Sequence, residues 1–365
     1  MSDPLWAVVR RARVSVVEAP LVTPFRIATG QHTTLENVFL MIELANGIRG
    51  FGEAAVAPHI TGESVPRTRD NLKKAARACE GEDISDPVSF LRTFRAAFTG
   101  NHAGLAALEM AVFDAWTRAR GIPLWKLFGI RPAPLSSDIT IVIGTLDEAR
   151  TAATAFFRQG FRVFKVKVGR DMDLDVRRVL AVSRVSPRAG IIVDVNQGYD
   201  AAGTLEFLKA LKARGVLPLL LEQPVPRDDW DGLARVTRAV RGRVLVCADE
   251  SVKSLEDVRR AIRLKAVSAV NVKLMKSGII EAEAIARAAR AAGLELMIGA
   301  MMESSLAITA AAHLAAGLGG FRFVDLDTTF FLKGPSARAP YLDGKGNFGL
   351  ADAGPGIGVV PPGFA

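Results

Sequence analysis

From about residue 138 onward, the chain alternates between short apolar runs and longer segments of helical periodicity. The apolar runs are rich in β-branched residues, which is typical of strands buried on both faces of a parallel sheet. Eight such strands alternating with Ala- and Leu-rich helices favour a (β/α)8-type barrel, with an open doubly wound sheet as the alternative. No Gly-x-Gly-x-x-Gly follows the first strand, so nothing supports dinucleotide binding. The predicted barrel strands are 139–143, 163–168, 190–195, 217–223, 244–248, 269–274, 294–299 and 321–326.

The pattern of the first 120 or so residues is different. Three strand-like segments come first, and Asn46-Gly47 between the last two is a strong hairpin signal. Helical segments follow. The predicted strands are 14–19, 37–44 and 48–53, and the predicted helices are 64–79, 86–98 and 102–119.

These two patterns predict the domain organisation. We expect residues 1–130 to form an α+β capping domain and residues 131–333 to form the barrel. The tail, residues 334–365, is rich in Pro and Gly and too short to fold alone. We expect it to complete the capping domain.

Composition narrows the class of protein. Of the 365 residues, 49% are hydrophobic and 23% are charged, as in globular domains. The net charge of +9 comes mostly from arginines scattered along predicted helices, so we expect no nucleic-acid partner. No apolar run is long enough to span a membrane. Cys79 and Cys247 are far apart, and no secretory signal precedes the first strand, so we expect a cytoplasmic protein without disulfides.

Three consecutive predicted strands each end in an acidic residue, Asp194, Glu222 and Asp249, one βα unit apart. The C-terminal ends of barrel strands meet at one mouth, where barrel active sites lie. Three converging carboxylates repel one another unless a cation binds or protons are taken up, and oxygen ligands on a rigid scaffold suit Mg2+. We therefore expect these residues to bind Mg2+. Isolated caps or ion pairs within the barrel are the alternative.

Lysines flank these acids on neighbouring strands. Lys165 and Lys167 are two residues apart in an apolar strand, so they share one face, and burying two ammonium groups there is costly unless anions lie opposite. Lys273 follows the third acid by one unit. With a substrate carboxylate at the metal, a lysine on each side of the α-carbon can remove a proton from one face and return it to the other. We expect burial beside Lys165 and Mg2+ to lower the pKa of Lys167, which must be neutral to act as a base.

Simpler interpretations of the lysines remain open. They could form structural salt bridges, and we expect this role, or that of a helix start, for Lys276. A neutral barrel lysine is also typical of Schiff-base enzymes. Those need no metal, so the three aligned carboxylates argue against that chemistry.

The set Lys-x-Lys, Asp, Glu, Asp and Lys on successive strands resembles the enolase superfamily, muconate lactonizing enzyme subgroup. The resemblance extends over nearly the whole chain, including Phe51-Gly-Glu-Ala54 and Ile60-Thr-Gly62. It implies a (β/α)8-type barrel in modified (β/α)7β form with an N-terminal α+β capping domain.

The resemblance also implies roles for individual residues. Lys167 and Lys273 are implied to be the two acid–base catalysts, and Lys165 to support the substrate carboxylate. Ile60 is implied to be a loop residue that closes over the substrate. Asn196 and Glu250 are implied to lie behind the metal ligands.

The eighth predicted strand distinguishes among the reactions of the subgroup. Phe323-Val-Asp-Leu-Asp-Thr-Thr329 is similar to the Asp-x-Asp motif of dipeptide epimerases. Asp325 and Asp327 can face the interior together and bind the free α-ammonium of a dipeptide. Muconate and succinylbenzoate carry no ammonium; a strand end that caps the next turn is the simpler alternative. Met301 and Met302, in another epimerase-like segment, are expected to line the side-chain pocket.

Two positions depart from the subgroup. Gly30 stands where epimerases selective for Ala-Glu tend to carry a basic residue, and we keep the nearby Arg26 as a candidate for substrate binding. The second residue of a dipeptide substrate could therefore be hydrophobic or cationic. Gly278-Ile279, after Lys273, replaces the usual Gly-Gly.

The resemblance as a whole implies an Mg2+-dependent L,L-dipeptide epimerase. Such an enzyme inverts the α-carbon of the C-terminal residue by 1,1-proton transfer between two lysines through an enolate. We expect a dipeptide substrate and a homo-oligomer. Muconate cycloisomerase, o-succinylbenzoate synthase or N-acylamino acid racemase activity is the alternative within the subgroup. A barrel that senses a ligand without catalysis is the alternative from another class.

Overall fold

The structure, a computed structural model, describes residues 6–28, 30–129, 131–186 and 188–364. Its N-terminal part is a three-stranded antiparallel sheet in the order β1–β2–β3, covered by helices. The strands are β1 (Val9–Ile27), β2 (Gly30–Leu44) and β3 (Arg49–Ala54), and the helices are α1 (Pro58–Thr61), α2 (Val65–Cys79), α3 (Pro87–Phe94) and α4 (His102–Ala119). β1 is longer than predicted because it pairs with β2 from one end to the other. The predicted helix 86–98 ends early, and Arg95–Phe98 continues as a 3-10 turn.

Two glycines allow α4 to lie directly against β3. A Cβ atom at Gly52 would lie 1.8 Å from the carbonyl oxygen of Ala107, and one at Gly50 would lie 2.2 Å from the amide nitrogen of Ala115. Any larger residue at either position would push the helix away from the sheet.

The rest of the chain forms an eight-stranded parallel sheet wrapped into a barrel, which confirms the predicted fold class. A short strand, β4 (Leu135–Ser136), precedes it. The barrel strands are β5 (Ile139–Ile141), β6 (Val163–Lys167), β7 (Gly190–Asp194), β8 (Leu220–Glu222), β9 (Leu245–Ala248), β10 (Ala269–Val272), β11 (Glu295–Gly299) and β12 (Phe321–Asp325). The helices between them are α5 (Leu146–Gln159), α6 (Met172–Ser183), α7 (Ala201–Lys212), α8 (Trp230–Val240), α9 (Leu255–Leu264), α10 (Leu274–Ala291) and α11 (Ser305–Leu318).

The first and last barrel strands meet at a junction that we call the seam. The backbone N–H of Asp138 donates to the carbonyl of Val324 (2.7 Å). Side chains make the other links: the N–H of Leu326 donates to Ser137 Oγ (2.9 Å), and the N–H of Thr140 donates to the Asp327 carboxylate (2.6 Å). The seam is therefore held largely by side chains rather than by a continuous ladder.

The C-terminal tail runs back over both parts of the molecule. Its short strand β13 (Asn347–Phe348) pairs with β4, and the N–H of Leu124 donates to Gly356 O (2.9 Å). The Asp114 carboxylate of α4 accepts the N–H of Ile357 (2.6 Å).

Inward-facing residues in the lower half of the barrel form a small apolar cluster, separate from the main core, that we call the plug. Outward-facing residues of the same strands, such as Val166 and Val193, belong to the main core under the helices. The alternation follows from the two-residue period of a strand. The plug residues are Ile192, Leu220, Cys247, Ala269, Met297 and Phe323.

Within the described residues, none of the helices combines the length and the apolar character that a bilayer crossing requires.

Candidate active site

Two residues beyond the plug, the inward-facing positions of the same strands become polar or charged. We call this layer the mouth. All of its members are buried, so each needs a partner of opposite charge or a hydrogen bond. They are Lys165 and Lys167 on β6, Asp194 on β7, Glu222 on β8, Asp249 after β9, Asn271 and Lys273 on and after β10, and Asp325 on β12.

Lys165 is the centre of the mouth. Its ammonium lies 2.6 Å from a carboxylate oxygen of Asp325, 2.7 Å from Glu222 and 3.1 Å from Asp194. Burial alone would lower the pKa of Lys165, but attraction to these acids outweighs burial and raises the pKa well above its ordinary value. Lys165 therefore stays charged.

The two lysines expected to be catalytic each contact one strand-end acid. Lys167 Nζ lies 2.6 Å from Asp194, and Lys273 Nζ lies 2.8 Å from Asp249. Burial would lower the pKa of Lys273, but the Asp249 carboxylate more than offsets burial and raises it. Lys276 also contacts Asp249 (2.8 Å), and it donates to the carbonyls of Asp249 and Asn271. This matches the salt-bridge role expected for Lys276.

The pKa values of the three strand-end acids are shifted in different directions. Burial would raise the pKa of Asp194, but Lys167 and Lys165 lower it to about 2. Burial would also raise the pKa of Asp249, but the attraction of Lys273 and Lys276 outweighs burial and lowers it. In contrast, burial and then repulsion from Asp194 raise the pKa of Glu222. The amide of Asn271 supports Glu222 with a 2.8 Å hydrogen bond.

Carboxylate oxygens converge most closely at the seam and not at the strand-end trio. Across the described ranges of the chain, the one acidic group of three whose oxygens all lie within 4.8 Å of one another is Asp138, Asp325 and Asp327. Asp194 and Glu222 do share a common point, because the Lys165 ammonium touches both. A positive charge already occupies the space between these two acids.

A cavity opens onto the mouth beneath the capping sheet. Lys167 and Lys273 both line it, together with Asn196. Asp325 and Asp327 line it next to Thr140 and Thr328. The remaining walls are mostly apolar and come from both parts of the molecule: Phe25, Ile27, Val56, Ala57, Ile60, Ala300, Met301 and Met302.

Six of the expected residues do not line this cavity: the strand-end acids Asp194, Glu222 and Asp249, which are buried in the mouth, and Arg26, Glu250 and Lys165. Arg26 lines a neighbouring surface groove with Glu148 and Arg170, and its Nε donates to Gln31 (3.1 Å). Glu250 is buried behind the mouth and accepts a hydrogen bond from Gln197 (3.2 Å). Lys165 is fully buried beneath the cavity.

Barrel residues hold the capping segments over the cavity. The guanidinium of Arg170, after β6, donates to Ile27 O (2.7 Å), and that of Arg227, after β8, donates to Ile60 O (3.3 Å). In the opposite direction, Asn37 of β2 donates to Met302 O (2.9 Å). The apolar wall is therefore positioned by contacts between the two parts.

Sequence reasoning missed several residues at this site. Phe25 and Ile27 alternate on β1 and line the cavity, and Thr140 of β5 lines it two residues after the buried Asp138. A period of two was visible in both places. Only the docking of the capping sheet on the barrel, however, determines which face of β1 meets the cavity.

Two family models match this chain. The Mandelate racemase / muconate lactonizing enzyme, N-terminal domain matches residues 10–129, and the Enolase C-terminal domain-like model matches residues 147–362. The chain belongs to the mandelate racemase/muconate lactonizing enzyme family of the enolase superfamily. The resemblance drawn from the strand-end residues is confirmed.

Relatives within the family are similar over nearly their whole length. A protein of Citrifermentans bemidjiense named hydrophobic dipeptide epimerase is 58% identical over 359 residues, covering 97% of this chain and 98% of the relative. Among solved structures, a mandelate racemase/muconate lactonizing protein from Herpetosiphon aurantiacus has a TM-score of 0.91 at 37% identity, covering 97% and 98%. The dipeptide epimerase of Enterococcus faecalis V583, solved in complex with Mg and the dipeptide L-Leu-L-Tyr, has a TM-score of 0.88 at 29% identity, covering 96% and 99%.

Proposed function

We propose that this protein is an Mg2+-dependent dipeptide epimerase, an isomerase that inverts the α-carbon of the C-terminal residue of an L,L-dipeptide. The observation that carries the proposal is the pair Lys167 and Lys273, which line one cavity from opposite sides. Their strands, β6 and β10, are separated by three strands in either direction around the ring. The names of the relatives support the same activity.

The reaction follows from this placement. A 1,1-proton transfer needs one group on each face of the α-carbon, one neutral to accept the proton and one charged to donate it. We assign these tasks to Lys167 and Lys273, which exchange roles between the two enantiomers. The charged Lys165 lies beneath them and attracts the developing negative charge of the enolate.

The donor chemistry of the mouth fits Mg2+. Asp194, Glu222 and Asp249 are buried carboxylates on adjacent strand ends, and a cationic group already bridges the first two. Hard oxygen donors of this kind suit Mg2+. We propose that these three residues hold the ion. Bound there, it would supply positive charge that stabilises the second negative charge arising on the substrate carboxylate.

We propose that Asp325 and Asp327 bind the free ammonium at the N-terminus of the dipeptide. Both carboxylates line the cavity at the seam, and the Lys165 ammonium lies between Asp325 and the proposed metal ligands Glu222 and Asp194. Burial and the neighbouring Asp325 raise the pKa of Asp327 to about 7, so a cation there relieves a real repulsion.

We propose that the epimerised residue is hydrophobic. The capping segments contribute Phe25, Ile27, Val56 and Ile60 to the cavity, and burying an apolar side chain against them is favourable by about 1.5–3 kcal/mol. Gly30 provides no charge for an acidic side chain. The 58% identical relative is itself named a hydrophobic dipeptide epimerase.

A screen of L,L-dipeptides in D2O with Mg2+ tests the activity. We expect solvent deuterium at the α-carbon of the C-terminal residue, together with formation of the L,D product, for Leu, Phe or Met at that position. The measurement is mass increase and chirality by chromatography. Absence of exchange across a broad library would overturn the proposal, whereas exchange confined to Glu or Lys would overturn only the hydrophobic preference.

We further propose the domain division at about residue 130, a cytoplasmic location and a homo-oligomeric state. Two buried free cysteines, Cys79 and Cys247, support a reducing compartment. The exposed Val16 and Val22 on β1 support contact between copies. Light scattering of the purified protein measures the oligomeric state, and Val22→Glu tests the surface.

A further inference from the structure

Asp138 is a buried acid whose charged neighbours are the acids Asp325 and Asp327 and the ammonium of Lys165. Asp138 begins the seam just before β5, and its side chain is 2% exposed. Within the part of the chain that the structure describes, neither carboxylate oxygen of Asp138 has a hydrogen-bond partner. An unsatisfied buried carboxylate costs several kcal/mol. Asp138 does not itself line the cavity, but it lies against Asp325 and Asp327, which do.

Asp138 points toward the two carboxylates already proposed to bind an ammonium. One oxygen each of Asp138, Asp325 and Asp327 lies within 4.8 Å of the other two. Three acceptors that each lie about 2.8 Å from one nitrogen, at tetrahedral angles, are about 4.6 Å apart. A single nitrogen can therefore reach all three carboxylates at hydrogen-bond distance.

Asp138 lies within hydrogen-bond reach of Asp325, so the two carboxyl groups can share a proton, which a bound cation would replace. Asp325 is engaged by Lys165 (2.6 Å), and Asp327 accepts the N–H of Thr140 (2.6 Å). Each of these two keeps a second oxygen, and Asp138 keeps both. A primary ammonium has three N–H donors, so donors and acceptors match in number.

The charges point in the same direction. Burial first, and then repulsion from Asp325, raise the pKa of Asp138 well above its ordinary value, although Lys165 opposes this. The groups facing Asp138 are thus Asp325, Asp327 and Lys165. Three carboxylates face one ammonium that they share with Asp194 and Glu222, so a second cationic group is favoured here.

We propose that Asp138 is a specificity-determining residue: with Asp325 and Asp327 it forms a three-carboxylate receptor that selects substrates with a free primary ammonium. The receptor rejects substrates whose amine is acylated or absent, because those leave buried acceptors unsatisfied. This inference rests on the proposed function and extends it, since Asp138 lies outside the Asp-x-Asp segment.

The test compares Asp138→Asn with the parent enzyme on two substrates, L-Ala-L-Leu and propionyl-L-leucine, which lacks only the amine. For the parent, kcat/KM for deuterium exchange should be far higher with L-Ala-L-Leu. In the variant this preference should narrow by about 10- to 100-fold, as expected for one charge-assisted hydrogen bond. The loss should lie in KM for L-Ala-L-Leu, with propionyl-L-leucine unaffected.

Two further measurements separate binding from folding. Because the variant removes a buried unpaired acid, its Tm without ligand should equal or exceed that of the parent. L-Ala-L-Leu should raise the Tm of the parent more than that of the variant. Glu303→Gln is the matched control, since Glu303 is also buried with one unpartnered oxygen among the described residues but lies outside the receptor. The preference of this variant for L-Ala-L-Leu over propionyl-L-leucine should equal that of the parent.

Equal losses on both substrates in Asp138→Asn, or no change in the preference, would overturn the receptor and leave the epimerase intact. If the variant does not fold, Asp138→Ser replaces it in the same comparison. A parent protein that neither turns over nor is stabilised by any dipeptide would overturn the proposed function itself.

Discussion

The interior of the barrel has two halves, and the same strands build both. In the plug, Ile192, Leu220 and Cys247 fill the space with apolar side chains. Two residues further along the same strands stand Asp194, Glu222 and Asp249, which face buried ammonium groups instead. The strand geometry is common to both halves, so side-chain chemistry alone separates them.

The difference separates stability from function within a single barrel. The plug can be explained by packing, because each side chain removes apolar surface from water. Packing does not explain the charged residues of the mouth, because buried ion pairs seldom stabilise a fold more than apolar residues of similar size would. Charges kept in such a place indicate chemistry.

The largest effect expected in the mouth is on catalysis. Lys167→Met or Lys273→Met should lower kcat for epimerisation by at least about 10²- to 10⁴-fold, since each removes one proton-transfer group. The fold should persist, because Asp194 keeps Lys165 at 3.1 Å and Asp249 keeps Lys276 at 2.8 Å. Deuterium exchange and thermal melting measure the two quantities.

Lys253→Met is the control for those variants, since Lys253 is a half-buried lysine that does not line the cavity. Its activity should stay within about twofold of the parent. Activity within tenfold of the parent in either mouth variant would contradict the assigned role.

In the plug, the expected effect is on stability. Leu220→Ala should lower the free energy of unfolding by about 2–5 kcal/mol, because it leaves a cavity between packed side chains. Activity per folded molecule should change little. Denaturant titration gives the first quantity and enzyme assay of the folded fraction gives the second; Ile192→Val is a milder control, with a cost of about 0.5–1.5 kcal/mol. A large fall in kcat at full occupancy of the folded state would erase the distinction between the two halves.

His313 sharpens the comparison with a smaller effect, because it is buried and kept neutral while the mouth is kept charged. Its Nδ1 accepts the N–H of Trp125 (3.2 Å), and burial lowers its pKa to about 4. The unfolded chain has a histidine pKa of about 6.5. As the pH falls below 6.5, the histidine of the unfolded chain takes up a proton before the buried His313 does. The free energy of unfolding therefore falls by up to about 3 kcal/mol between pH 6.5 and pH 4.

The difference in acid stability between the parent and His313→Gln isolates this contribution. The parent should lose stability more steeply between pH 6.5 and pH 4 than the variant does. Parallel pH profiles would show that folding does not shift the pKa of His313.

Much of the barrel could be predicted because its pattern is local. A period of two along each strand and one carboxylate per βα unit predicted that Asp194, Glu222 and Asp249 share the mouth. Contacts that join distant segments were out of reach. The sequence alone did not reveal that Lys165 bridges three acids, or that Asp138 lies against Asp325 across the seam.

The capping part illustrates the same limit. The apolar alternation of β1 was visible in the sequence. Whether Phe25 and Ile27 face the cavity depends on how the capping sheet docks on the barrel. Asn37 of the sheet donates a hydrogen bond to the barrel, and Arg170 of the barrel donates one to β1. Arg26, chosen for its charge, lines an adjacent groove because its neighbours on β1 face the cavity instead.

The seam connects Thr140 with Asp327, which are 187 positions apart in the sequence. Joining two segments so far apart costs the entropy of closing a long loop, so we expect this contact to form late in folding. The carboxylates at this seam are those proposed to bind the ammonium of the substrate. A bound substrate would therefore contact the junction that closes the barrel. A substrate bound at this junction would in turn stabilise the closed barrel to a degree that rises with its concentration.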